Sequence, residues 1–283
     1  MKKLAILFFA FHFFGCSNSQ KKEEVKENNL KEKKITYLSN DIRIFESSKA
    51  WELAKAVKNE DSNRIIDLCK NDSTLINYQE TGNGQSILCW AVRMNYFNSA
   101  ETLLKLGANP NLQDDSGISA FIEAAMNDNT DKYVKLLLKY GGDVNAIAKP
   151  KDGKNQHFRT PLITASKANL DIVKLLTENG ADINYSNEFD QSALRSACDF
   201  KNIEIIKYLI ENGADFKRPL FNINGSTFLS DELRNMSFDL QSKEYKTKME
   251  VVAILLKNGI DYRKAPIPKL YLETLPKEYL EVY

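Results

Sequence analysis

The stretch "TPLITASKANLDIVKLLTENGADINY", residues 160–185, decides how the rest of the chain is read. Thr160 is a good N-cap, because its hydroxyl can take one of the amide protons that a helix start leaves without a partner. Pro161 suits the first helical position, where a missing N–H costs nothing. Leu162, Ile163, Ala165 and Ser166 form an apolar or small stripe, and Ile172, Val173, Leu175 and Leu176 recur at helical spacing. Two short antiparallel helices are expected, the second ended by Gly180 in the left-handed conformation that glycine adopts without strain. "ADIN" then leads onward as an extended connection. A helix pair this small cannot bury its own apolar faces, so it has to stack on further copies of itself.

Copies are present. The start Thr160-Pro161-Leu162-Ile163 is echoed at Ser86-Ile87-Leu88-Cys89, Ser119-Ala120-Phe121-Ile122, Ser192-Ala193-Leu194-Arg195 and, more weakly, Ser226-Thr227-Phe228-Leu229. Each start is followed by a second apolar segment, ending at Gly107, Gly141, Gly180, Gly213 and Gly259, with spacings of 34, 39, 33 and 46 residues. A period near 33 interrupted by two insertions, with this start and this turn, resembles the ankyrin repeat. The resemblance implies an all-α solenoid of stacked helix-turn-helix units with short hairpin fingers. It extends over residues 41–265 as about six units, with degenerate ones at each end, as solenoid caps tend to be. The histidine that the family usually carries in its start motif is replaced by Cys89, Ile122, Ile163 and Arg195, so the hydrogen bonds it makes between repeats must be missing or supplied otherwise. Residues 266–283, "PIPKLYLETLPKEYLEVY", read as a tail that packs on the last unit as a cap, because its Leu and Tyr side chains would otherwise be exposed.

The N-terminus carries a different signal. Lys2 and Lys3 precede an apolar run from Leu4 to Phe14, too short to cross a bilayer and suited to a secretory leader. The run ends in "FFGCSNS", which resembles the lipobox of bacterial lipoproteins. Residues 1–15 are then a signal peptide, and Cys16 is the residue that receives lipid. Residues 16–40 are charged and nearly free of large apolar side chains, a disordered tether with lysine and glutamate interleaved. The expected location is a bacterial cell envelope, with the chain lipid-anchored at the outer membrane on its periplasmic or surface side. The alternative is a secreted protein.

Composition narrows the function. With 39 Lys and Arg against 38 Asp and Glu the net charge is +1, which gives no basic excess for nucleic acid. Cys69, Cys89 and Cys198 fall in different repeats on inward helical positions and read as buried free thiols. The chain has two histidines, His12 in the leader and His157 in the insertion that begins at Lys149, so neither a catalytic triad nor a Cys/His metal site has a plausible spacing. No enzyme activity, metal or cofactor is expected.

What remains is recognition of another protein. The ankyrin resemblance implies contacts through the concave face made by the first helices and through the hairpin tips. Carried onto this sequence, the pattern assigns partner contact to Gln85, Ile118, Arg159 and Gln191 beside the turns. It assigns Arg93 and Met94, Met126 and Asn127, Lys167, Asp199 and Phe200 along the first helices, and Asp115, Glu188 and Phe189 at the tips. Met94, Ile118, Met126, Phe189 and Phe200 would form a broken apolar stripe flanked by Arg93, Arg159 and Lys167, which suits a partner with an apolar centre and some acidic character. Each of the five has an alternative, packing against an adjacent repeat. The insertion from Lys149 to Phe158 either reaches the partner or is a tolerated surface excursion, and its glycine and polar content favour the second. Apart from its partner the chain is expected to be a monomer.

Overall fold

The computed structural model describes residues 38–126, 131–151, 159–221 and 226–266. The signal peptide, Cys16, nearly all of the tether, Asn127, most of the insertion and all but the first residue of the tail lie outside the described residues. Among those described, twelve α-helices form six hairpins: α1 Trp51–Lys58 with α2 Ser62–Asn71, α3 Ile87–Arg93 with α4 Phe97–Lys105, α5 Ala120–Ala125 with α6 Lys132–Lys139, α7 Pro161–Ala165 with α8 Leu170–Glu178, α9 Ala193–Asp199 with α10 Ile203–Glu211, and α11 Leu229–Arg234 with α12 Lys243–Lys257. First helices stack in one row, α1 on α3, α3 on α5, α5 on α7 and α7 on α9. Second helices make the other row, α2 on α4, α4 on α6, α8 on α10 and α10 on α12. This is the all-α solenoid that the repeat pattern implied.

The local rules operate at each start and stop. The hydroxyls of Ser86, Ser119, Thr160 and Ser192 accept from the amides of Cys89, Ile122, Ile163 and Arg195 at 3.1, 3.2, 3.2 and 3.2 Å. The fifth start is displaced. Its helix begins at Leu229 rather than Thr227, with Phe228 at the cap position, and the Phe228 amide donates to Asp231 Oδ2 at 2.7 Å. Gly107, Gly141, Gly180, Gly213 and Gly259 hold φ between 80° and 96°. The amide after each returns to a leucine carbonyl at 2.8–3.0 Å, those of Leu103, Leu137, Leu176, Leu209 and Leu255, closing the helix end. The fingers are turns rather than ladders: among the described residues only the isolated bridges Gln79 to Ser86, Ser186 to Ser192 and Phe221 to Thr227 appear.

The core lies between the two rows. Every residue of α3 from Ile87 to Val92 is buried, and Trp90 packs edge-on against Phe45 and Tyr96, each at 5.5 Å between ring centres. Cys69, Cys89 and Cys198 are buried free thiols.

Hydrogen bonds between neighbouring units are made by asparagine, at a place in the unit other than the start-motif position where the family carries histidine. Asn111, Asn145 and Asn184 each stand four residues after a turn glycine and reach the following unit with both ends of the amide. Nδ2 donates to the carbonyls of Gly141, Gly180 and Gly213 at 2.9, 3.1 and 3.0 Å. Oδ1 accepts from the amides of Asp143, Asp182 and Asp215 at 2.9, 2.8 and 2.8 Å. An amide carries both a donor and an acceptor, so one side chain satisfies two backbone groups of its neighbour. The residue at this position in the next unit is Lys217, and the ladder stops there.

Candidate functional site

The concave face is built from the C-terminal ends of the first helices and from the turns that precede them. Short first helices of five to eight residues leave their last side chains just past the packed row, which is why Met126 and Phe200, following α5 and α9, reach solvent. Met126 and Phe189 are each 42% exposed and Phe200 is 58% exposed. These three are the expected apolar positions that the core does not absorb. The other two are partly absorbed by the core: Met94 is half-buried against the main core, and Ile118 is half-buried against it and against Ile122, Ala146 and Ala148. In both, the neighbouring repeat offers an apolar surface closer than solvent.

Gln85 is the clearest correction. It is completely buried. With its amide oriented to satisfy both ends, it donates to the Ser39 carbonyl at 2.9 Å and accepts from Arg93 Nη1 at 3.2 Å, so it joins the segment before α1 to α3 and is closed to a partner. Arg93 is also engaged, with Nη2 donating to Glu123 Oε2 at 2.7 Å across α3 and α5. Asp114, buried beside this pair, has its carboxyl pushed up by burial, while the amides of Ile118 and Ser116 that donate to it act the other way. A half-buried ion pair and a capped carboxylate hold these units together.

The tips are locked to one another. The Asp115 amide donates to the Asn83 carbonyl at 2.7 Å and the Lys151 amide donates to the Asp115 carbonyl at 2.9 Å. Lys151 Nζ also pairs with the Asp115 carboxylate at 2.5 Å. Asp115 therefore serves finger-to-finger contact, and the first residues of the insertion are held rather than loose. Arg159 closes the same finger, its carbonyl accepting from the Ala148 amide at 2.9 Å. In the following finger Glu188 is exposed, while the Gln191 amide donates to Asn187 Oδ1 at 2.9 Å.

The C-terminal half of the face gathers chemistry that the sequence reading did not assign. Arg195 sits at its centre. Its Nη1 donates to the Phe189 carbonyl at 2.7 Å, its guanidinium lies 4.7 Å from the centre of the Phe221 ring, and its Nε is 3.9 Å from Asp199 Oδ2, beyond hydrogen-bond reach. Lys167 Nζ stands 5.6 Å from the Phe200 ring centre. Partial burial pushes the Asp199 carboxyl up, with Arg195 and Lys167 opposing. Glu232 on α11 is pushed up by burial and then by the charges of Asp199 and Asp231, with Lys201 and Arg195 opposing. Phe228, 37% exposed, stands one helical turn before Glu232. Arg195 escaped notice because it occupies the histidine position of the repeat, where only the absence registered. Glu232 and Phe228 escaped because the last start is displaced by two residues.

Comparison with known proteins agrees with this geometry. A model of three ankyrin repeat copies matches residues 121–219, and a model of the single ankyrin repeat matches residues 83–115. A protein of fowlpox virus (strain NVSL) described as an ankyrin repeat protein is 28% identical over 127 residues, 44% of this chain and 36% of its own length. One of Acanthamoeba polyphaga mimivirus with the same description is 26% identical over 151 residues, 47% of this chain and 26% of its own length. The matched part thus spans about a third of one relative and about a quarter of the other. The helix hairpins between residues 83 and 219 are ankyrin repeats, and the chain folds as an all-α ankyrin solenoid.

Proposed function

We propose that this chain is a binding protein that holds a protein partner on its concave face, acting as a scaffold, adaptor or inhibitor. Ankyrin repeats generally mediate protein–protein interaction, and the observation that carries the reading here is the exposure of Met126, Phe189 and Phe200 along that face. Aromatic and methionine side chains left in water beside arginine are the composition of interface centres. A lipid anchor on Cys16 in a bacterial envelope remains part of the proposal, supported by the Lys-Lys start, the short apolar run and Gly15-Cys16. A chain released into the medium to mask one cognate partner is the alternative reading.

The test is capture from solubilised envelope and from culture medium with residues 36–283, beside a variant carrying Met126→Ala, Phe189→Ala and Phe200→Ala. All three side chains are exposed, so the variant should fold as the parent does. A protein retained by the parent and lost by the variant supports the reading; equal retention places binding elsewhere. Incorporation of labelled fatty acid that disappears in Cys16→Ser tests the anchor, and absence of label in the parent would leave the released form.

A further inference from the structure

In a stack of repeats every unit but the last has its outer side covered by the next one. Leu104, Leu138, Thr177 and Ile210 each stand three residues before a turn glycine, and all four are buried or half-buried. Thr177 shows what the position meets: its Oγ1 lies 2.7 Å from the hydroxyl of Tyr208 on the next second helix, α10. Ile210, on the helix that α12 packs against, is 6% exposed. Leu256 holds the same place in α12 and is 47% exposed. Among the described residues no α-helix stands beyond α12. The last unit thus presents an apolar side chain to solvent where each earlier unit meets its successor.

The chain is led toward this end. After Gly259, Asp261 caps a single 3-10 turn, Tyr262–Lys264, which packs against both α11 and α12. Tyr262 is 1% exposed, and Arg234 Nε donates to the Ala265 carbonyl at 3.3 Å, so the exit from the last unit is tied to α11. In every earlier unit the segment after the turn glycine runs on to the following unit, and the chain beyond Pro266 sets out the same way. Residues 267–283 lie outside the described residues, and their composition suits the end. Seventeen residues are about half a unit, too few for a further helix pair, yet enough for one layer along α12, whose fifteen residues span about 22 Å. Nine of the seventeen are apolar or aromatic, with Leu270, Leu272, Leu275 and Leu280 among them, and Glu273, Glu278 and Glu281 outnumber Lys269 and Lys277. From Lys243 to Lys264 the last unit carries six cations against three carboxylates, a complementary balance.

We propose that residues 267–283 pack over the outer side of α12, with leucine side chains on Leu256 and glutamates toward the cations of the last unit, and that this layer closes the solenoid. Uncovered, the end is an apolar edge on which a second copy can stack in head-to-tail fashion, a contact that does not close and so propagates. Covered, it fixes the stack at six units. The proposal stands apart from the concave-face reading, which none of the outcomes below touches.

The experiment is hydrogen exchange read by mass spectrometry on residues 36–283, at a low and a high protein concentration. It is repeated on Leu256→Glu and on Leu272→Ser with Leu275→Ser and Leu280→Ser. Leu256 is half exposed and the three leucines lie beyond the repeats, so both variants keep the repeat fold, which protection of α3 to α10 verifies; should one substitution loosen the repeats, the other decides. In the parent the amides of residues 267–283 should exchange at least about tenfold more slowly than an unstructured peptide, equally at both concentrations, and in both variants they should reach the unstructured rate. Unstructured exchange in the parent would overturn the proposal, and so would protection that survives Leu256→Glu, because the layer would then lie elsewhere. Protection of α12 that appears only at the high concentration would put a second copy on the end and overturn it likewise.

Discussion

Replacing Lys248 by methionine should make the chain more stable and remove one component of its pH dependence. Lys248 on α12 is 1% exposed, its Nζ donates to the Met236 carbonyl at 2.9 Å, and Tyr262 lies between it and Arg234, with ring-centre distances of 5.8 Å to Lys248 Nζ and 5.3 Å to Arg234 Cζ. Burial first, and the Arg234 charge second, lower the Lys248 pKa from 10.5 to about 7. In the unfolded chain lysine regains its ordinary value. Below pH 7 both states hold the proton and the cost of burying the charge is constant. Between pH 7 and 10.5 the unfolded chain holds a proton that the folded chain has released, so stability rises with pH through that window. The slope approaches about 1.4 kcal/mol per pH unit, roughly 2 kcal/mol between pH 7 and 8.5.

The thiols act in the opposite sense. Burial raises Cys69 to about 11 and Cys89 to about 12, so above their ordinary unfolded pKa, about 8.5, the unfolded chain loses protons that the folded chain keeps and stability falls. Parent stability should therefore peak near that value. Subtracting the Lys248→Met curve removes the thiol contribution, which both chains share. The assay is urea denaturation of both chains under reducing conditions from pH 6 to 9.5, followed by helix ellipticity. The expected difference, parent minus variant, is negative and flat below pH 7 and climbs toward zero above it, with Lys248→Met the more stable at pH 7 by about 1–3 kcal/mol after lost packing is discounted. A difference that stays flat across pH 7 to 9, or that falls, would refute the assignment of a buried, readily deprotonated amine.

Asn145→Ala should cost about 1–2 kcal/mol, the loss of two exposed hydrogen bonds to the next unit, and lower the denaturant slope if the units on either side then unfold separately. An unchanged slope with unchanged stability would show that stacking alone couples the repeats. Gly117→Ala and Gly107→Ala form a contrasting pair, since both positions have positive φ. A Cβ at Gly107 meets nothing within 4 Å, and about 1 kcal/mol is expected there; at Gly117 it would lie 2.3 Å from the Lys149 amide nitrogen, and more than about 2 kcal/mol is expected. Similar costs for the two would mean that the second and third fingers are not held as tightly as their contacts indicate. Cys89 and Cys198 should resist thiol reagents in the native chain and react only at the rate of opening, so a fast native reaction at pH 8 would contradict their burial.

Periodicity made the scaffold legible and left the surface only half so. Thr160-Pro161 and its echoes, with Gly107 through Gly259, repeat a backbone requirement, and a backbone requirement has few chemical solutions, so the sequence displays it in every unit. Exposure is not of that kind. Met94 and Met126 occupy the same place after successive first helices, yet one settles on the core and the other remains in water, because the space beside each depends on the next repeat. Gln85 reads as a polar turn residue and is buried only because Ser39 and Arg93 converge on it from distant parts of the chain. Ion pairs are hidden for the same reason: Arg93 finds Glu123 one repeat away. The asparagine ladder was visible in spacing, at residues 111, 145 and 184, but its meaning needed the neighbour's backbone.

The irregularities of the last unit collect on one side of the molecule. Lys217 stands where the ladder would continue, the helix start slips from Ser226 to Phe228, eight residues rather than three to six separate its helices, and a lysine is buried in α12. Each departs from a local rule that the earlier units obey, and each costs stability or coupling. The slip has a consequence at the surface. With the start two residues later, Phe228 lies at the cap and Asp231 and Glu232 fall in the first turn, where the helix dipole favours their charge. A start at Ser226 would put a small hydroxyl where the exposed ring now is. The displaced start therefore puts an exposed ring and two carboxylates at the head of α11, and departures from local consistency are expected where a surface is shaped for binding rather than for folding.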